Sequence, residues 1–335
     1  MKNYLIKLFP VSAFFFGSEK TFDHGGTINY FAKSNAFPQQ TSLLGMLRKE
    51  VLIQMGLYKE SAEYSANEME KIKELIGESF SLSGNNDFGC IKKISPSFLF
   101  INDKAFIQAP FDNLFKFKKK PGRSYLTKEN SFIPVMKNIQ TEKYYKSKDN
   151  ANVFSDFLGA DSELIQFDNI FSVFVKSGNC KDRSEKDEDK YFKQLSYGFK
   201  DKKTSFAFFA EVDVKLNNSI INLGGDNSVF YMKTEEINDD RSFLDLFKTI
   251  NKDENKVVLL SDCLVENSIF DSCDFSITDT MDFRTVRMKF GRFLNRNKKY
   301  SFLKRGSVFY SKTAGKVRES LYDPTLRQVG YNIFI

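Results

Sequence analysis

The apolar residues of this 335-residue chain come in runs of strand length, and none approaches the about 18 uncharged apolar residues of a membrane span. Tyr4 to Phe9 predicts a first strand ending near Pro10. Phe171–Val175, Ser205–Leu216, a short stretch from Val229 to Lys233, and Val257–Leu260 predict further strands. Lys92 to Ala109 predicts a hairpin turning near Asn102-Asp103. Helices are few. Thr41 or Ser42 is placed to cap a helix in which Leu44, Leu47 and Val51 share one face, and Glu63–Ile76 predicts a second, with Met69, Ile72, Leu75 and Ile76 apolar. Residues 77–90 read as a loop. Residues 112–150 are polar and lysine-rich with weak periodicity, and within them the Lys116–Arg123 cluster reads as a solvated loop before a basic patch. The mixed-charge run 181–190 reads as the tip of an exposed hairpin. Short strands with few helices predict an α+β fold, best matched by two ferredoxin-like units, with a β-rich single domain as the alternative.

Charge is segregated. The 36 residues from Phe283 to Arg318 hold twelve Lys or Arg and no acid, while the chain as a whole carries +7, so the other 299 residues sum to −5. Aromatic residues interrupt that basic stretch. Phosphate-neutralising cations mixed with rings suit an RNA-binding surface, and the phosphate track would run through Arg284, Arg287, Lys289, Arg292, Arg296, Lys298, Lys299, Lys304 and Arg305. The plainer reading is ordinary strand alternation, with cations outward and rings inward.

Several chemistries are hard to build here. His24 is the one histidine, so no histidine pair is available for a metal or for acid–base ribonuclease work. Asp112, Asp168, Asp213 and Asp226 stand alone. Gly224-Gly225-Asp226-Asn227 lacks the second acid of a GGDD signature, and neither G-x-S-x-G nor a P-loop occurs. Cys90, Cys180, Cys263 and Cys273 are scattered without a CxxC, which argues against a disulfide scaffold or structural zinc and fits a reducing cytoplasm. At the N-terminus a signal peptide is conceivable, but Lys7 and Pro10 interrupt the apolar run. Some of the 37 Phe must pack a core. No cofactor, metal, membrane or small-molecule substrate is expected.

The motifs then add up. An aromatic segment, FFFGSEKTFDHGG, follows the first strand. Phe37, Pro38, Thr41 or Ser42, Gly45 and Arg48 form an F-P-x-x-S/T-x-x-G-x-x-R entry to the first helix. Ala109-Pro110 and Asp112 fit a P-x-P-x-D segment, INLGGD fits an L-G-G-E segment with Asp226 in place of Glu, Arg305–Lys312 fits a late G-S-V-Y strand, and GYNIFI closes the chain. Together these resemble the repeat-associated mysterious protein (RAMP) superfamily of CRISPR effector subunits, and within it the third-subunit family of the type III-B Cmr complex. The middle, 113–205, carries little of the likeness.

The resemblance implies two RRM-like ferredoxin domains with inserted loops and a protruding hairpin arm, divided as 1–155, an arm at 156–205, and 206–335 with a basic surface. It implies a non-catalytic, cytoplasmic subunit that caps the 5′ tag of the CRISPR guide RNA. Its partners would be the large polymerase-like subunit and the backbone filament subunit, with target RNA met indirectly through the arm. A metal-independent guide-processing endoribonuclease and a purely structural assembly subunit are the competing readings. RNA contacts are expected at Lys20, His24, Gln40, Thr41, Ser42, Gly45 and Arg48, at Gly224, Gly225, Asn227 and Ser228, and along the basic track to Lys304, Arg305 and Ser307.

Overall fold

The computed structural model describes residues 1–17, 31–60, 63–82, 86–113, 115–118, 135–138, 156–180, 190–238, 242–283, 286–288, 294–296 and 299–335. The chain begins with β1 (Lys2–Pro10), β2 (Phe31–Lys33), α1 (Gln40–Gln54) and α2 (Ala66–Ile76), followed by β3 (Ile91–Ile94), β4 (Phe98–Ile101), β5 (Lys104–Gln108), β6 (Phe115–Lys118) and β7 (Val135–Asn138). Next come β8 (Phe157–Gly159), β9 (Leu164–Ile165), α3 (Phe167–Ile170), β10 (Phe171–Cys180), β11 (Lys190–Phe199), β12 (Ser205–Val212), β13 (Ser219–Asn222), β14 (Val229–Ile237) and α4 (Phe243–Phe247). The last part holds β15 (Lys256–Val258), β16 (Phe275–Ile277), β17 (Thr280–Phe283), β18 (Val286–Met288), β19 (Leu294–Arg296), β20 (Tyr300–Leu303), β21 (Val308–Tyr310), α5 (Ala314–Leu321) and α6 (Pro324–Gln328).

The result is a mixed α+β fold with several antiparallel sheets. The largest has nine strands in the order β13-β14-β1-β12-β4-β5-β8-β9, with β3 also on β12. Strand alternation explains its position in the molecule. Tyr4, Ile6 and Leu8 of β1 point into one core with Phe206, Phe208, Phe230 and Met232, closed by Leu43, Leu44, Leu47 and Val51 of α1. Phe98, Ala105, Ile107 and Ala207 face a second core with Phe243 and Phe247 of α4, Val258 and Val308. A sheet buried on both faces needs two apolar sets, and the phenylalanines supply them. Phe206 alone lies 4.9 Å from the Phe199 ring and 5.2 Å from Phe14. Lys7 occupies the second face, 8 % exposed, with Nζ 3.1 Å from Glu235 and 4.2 Å above the Phe100 ring.

Several expectations shift. β1 lies between β12 and β14, so the boundary expected at residue 205 cuts through a sheet. Residues 115–118, overlapping the cluster expected as a loop, pair with 135–138. Helix α1 starts at Gln40, with Gln39 as an N-cap that makes no side-chain bond, so Thr41 and Ser42 lie inside the first turn and neither caps it. α2 starts at Ala66, where Ser65 and Glu68 form a capping box, so the three residues from Glu63 stay outside the helix. The hairpin of β4 and β5 turns at Asn102 (φ 47°) and Asp103 (φ 62°), the positive-φ pair of a type I′ turn.

A smaller, three-stranded sheet runs β15-β21-β16. With α5 it encloses Val257, Leu259, Phe309, Val317 and Leu321. Beyond α6, Phe334 bridges back to Leu259.

Candidate nucleic-acid interface

The basic stretch folds back on itself. β17 pairs with β20 from Thr280↔Leu303 to Phe283↔Tyr300, and β18 pairs with β19 from Val286↔Arg296 to Met288↔Leu294. The second ladder is nested inside the first in chain order. In the sequence, residues 280–303 carry seven Lys or Arg and one acid. Arg287 and Arg296 sit on these ladders; Arg284, Lys289, Arg292 and Lys298 lie outside the described residues, as do Lys20 and His24. At the base of the hairpin the charge is partly answered. Lys299 Nζ is 2.8 Å from Asp282, and Lys304 Nζ is 2.5 Å from Asp279.

Arg305 corrects the expected track. It is 7 % exposed, its Nη2 lies 3.3 Å from Asp262, its Nη1 donates to the Ser97 carbonyl at 2.8 Å, and its guanidinium sits 4.3 Å over the Phe37 ring. Gln40, fully buried, joins the same network: its Nε2 donates to the carbonyls of Ser95 and Val329, and its Oε1 accepts from Ser97 N–H. Ser307 is also fully buried, its hydroxyl donating to the Lys304 carbonyl at 2.7 Å. The motif positions Gln40, Arg305 and Ser307 therefore hold the helix entry, the β4 entry and the chain end together and have no free face for RNA.

What α1 does present outward is Ser42, Gly45 and Lys49. A Cβ added at Gly45 would meet nothing within 4 Å. Thr41 is half-buried, its N–H 3.4 Å from the Tyr331 hydroxyl. Arg48 is half-buried, donates from Nη2 to the Glu78 carbonyl and lies 5.3 Å over the Phe88 ring. Burial lowers its pKa to about 10, with Asp87 and Cys90 opposing, so it remains a cation at neutral pH. Its Nε is buried without a hydrogen-bond partner.

The glycine turn between β13 and β14 is tied to the aromatic segment after β1. Gly224 has φ 97°, and a side chain there would overlap the Phe15 carbonyl. Gly225 N–H donates to Phe15 O at 2.8 Å, and Phe15 N–H donates to Ser228 Oγ at 3.0 Å. Ser228, 3 % exposed, is thus a brace and not an RNA-facing donor, while Asp226 and Asn227 stay exposed. Beside this turn β10 and β11 form an antiparallel hairpin, with β2 parallel to β11. Val173, Phe174 and Val175 are exposed in succession along β10. The tip, 181–189, lies outside the described residues.

Residues 6–334 match the model of the family described as CRISPR-associated protein (Cas_Cmr3). The chain belongs to this family. A chain in a cryo-EM structure of the type III-B Cmr-beta complex bound to cognate target RNA and AMPPnP is 15% identical, with a TM-score of 0.52, over 100% of this chain and 96% of that one. A second structure of the same complex with cognate target RNA gives 15% identity and a TM-score of 0.51, with the same coverage of 100% and 96%. At that identity the likeness shows a shared fold. No curated protein sequence matches. Among the described residues no group of three or more His, Cys, Asp or Glu is placed to hold a metal, and no helix is long and apolar enough to cross a membrane.

Sequence reasoning missed the basic hairpin and the buried Gln40–Arg305 network. Nothing local signals the second, because its members are up to 289 positions apart.

Proposed function

We propose that this chain is a non-catalytic, cytoplasmic RNA-binding subunit of a type III-B CRISPR effector complex that holds the 5′ tag of the guide RNA. It joins the large polymerase-like subunit to the backbone filament, and its β10–β11 hairpin is the arm that reaches toward the guide–target duplex. The fold is read as two ferredoxin-like units: the first uses β1, α1 and the strands of the large sheet through residue 237, and the second is built on the β15-β21-β16 sheet with α5. Membership of the Cas_Cmr3 family over residues 6–334 carries this reading.

Two local features support it. Gly45 lies in a helix interior, where glycine costs about 1 kcal/mol relative to alanine, and no neighbour in the chain needs the space. A partner backbone approaching α1 would. Arg48, three residues on, is a half-buried cation, and no ion pair to it is formed among the described residues. The single histidine keeps nuclease chemistry in second place.

Binding of tagged guide RNA and of a tag-scrambled RNA to the full chain, across a salt series, tests the proposal. Tight, tag-selective, salt-sensitive binding with intact RNA is expected. Metal-independent cutting of the guide would make the chain a nuclease. Equal or negligible binding of both RNAs, in the assembled complex as well as alone, would leave an assembly role.

A further inference from the structure

A groove of about 230 Å³ opens between the β10–β11 hairpin and the 224–228 turn, lined in part by Phe15, Phe174, Lys176, Ser196 and Asp226. It is smaller than the roughly 300–1,000 Å³ of sites for drug-sized ligands. Its residues are held in place by backbone. Phe15 is bonded on both sides to the glycine turn. Phe174 stands opposite Ser196 in the ladder, its ring in the space left by Gly198, where a Cβ would come within 2.9 Å of it. Asp226 is fixed at φ 53° in the turn, and its carboxylate lies 3.9 Å from Lys176 Nζ with both groups at least half exposed.

The chemistry of this set selects among ligands. Two rings offer stacking surface to a flat molecule. The carboxylate repels phosphate, so the groove suits a base and not the backbone, while the sheet around it supplies the backbone's countercharge. Strands β2, β10 and β11 carry exposed Lys33, Lys176 and Lys193 and no Asp or Glu. An ammonium beside a carboxylate offers donors next to two acceptor oxygens. Guanine is the base whose Watson–Crick edge answers that order, with O6 accepting and N1–H and N2–H₂ donating side by side. Uracil and cytosine would turn an acceptor toward the carboxylate, and adenine has one donor on this edge.

Resting on the RNA-binding reading above, we propose that this groove takes one unpaired guanine of the bound RNA. The base stacks on Phe15 and Phe174, Asp226 accepts from N1–H and N2–H₂, and Lys176 donates to O6.

The test uses the full chain and labelled oligouridines that carry one central guanine, adenine or cytosine, read by fluorescence anisotropy, with melting curves to confirm folding. Asp226→Asn is nearly isosteric and tolerates the positive φ; Phe174→Ala removes an exposed ring. Wild-type protein should prefer the guanine-containing RNA by roughly tenfold, the scale of a bidentate base contact. Asp226→Asn should abolish that preference and leave oligouridine affinity within about twofold. Phe174→Ala should weaken the guanine-containing RNA most. Absence of a guanine preference, or one that survives Asp226→Asn, overturns the groove assignment while RNA binding itself stands. If groove variants keep every RNA affinity but lose a partner subunit on co-expression, the groove is a protein contact. Failure of the wild type to bind any of these RNAs or tagged guide removes both readings together.

Discussion

A few buried polar side chains do at single positions what no propensity scale describes. Arg305 and Asp262 form an ion pair with 8 % and 11 % of their side chains exposed, and each charge is tolerable only because the other is present. Arg305→Met should therefore cost about 3–5 kcal/mol in denaturant unfolding, while Lys304, half-exposed and paired at the surface, should cost under about 1 kcal/mol when truncated. Gly330 is similar in kind. Its φ is 81° and a Cβ would overlap the Gln40 amide and Ser95, so Gly330→Ala should lower the melting temperature sharply and not gain the usual alanine benefit. Glu235 makes a pH prediction. Burial alone would raise its pKa, but hydrogen bonds from Lys233 and Lys7 hold it below the ordinary carboxylate range. A depressed folded-state pKa contributes stability above the unfolded value of about 4.3 and loses it as pH falls through the folded value. The stability gap between wild type and Glu235→Gln, measured by thermal melts, should thus be present at pH 7 and close below about pH 4.

At the level of elements, α1 is the sharpest case. Its buried face was legible, because Leu44, Leu47 and Val51 recur with helical spacing and all three are buried. Its start was not. Thr41 and Ser42 are common capping residues, yet an extended Gln39 precedes them and the C-terminal Tyr331 closes the first turn instead. The outward face carries a prediction whose two readouts move in opposite directions. Gly45→Leu should raise helix stability by several tenths of a kcal/mol to about 1, because open space surrounds it, yet cut tagged-RNA affinity at least tenfold if RNA backbone lies there. An unchanged affinity would take α1 out of the RNA surface. For strands, β4 and β5 were legible with their turn, since Asn-Asp is one of few dipeptides at ease with two positive φ values. The basic hairpin was not, because charge composition does not reveal where a chain reverses.

Over the whole molecule the large sheet is the organising fact, and it explains which expectations held. The family follows from motifs scattered along the sequence, and those motifs meet in space: the helix entry at Gln40, the Arg305 turn and the chain end at Val329 share one hydrogen-bonded network. Because that network spans both ends of the chain, truncation after Gln328 should destabilise α1 and the large sheet, read as loss of cooperative melting and not as a local effect. By itself the sequence determined the strand-rich α+β class, the hairpin turning at Asn102-Asp103, the apolar face of α1 and the family. These depend on patterns a few residues long, or on motifs in a fixed order. Only the tertiary structure decided that β1 runs between strands contributed from beyond residue 204, that Gln40, Ser228, Arg305 and Ser307 face inward, and that Phe174 meets Asp226 across a groove. Strand neighbours and buried polar partners are chosen by burial across the whole chain, where the cost of an unpaired polar group outweighs any local preference.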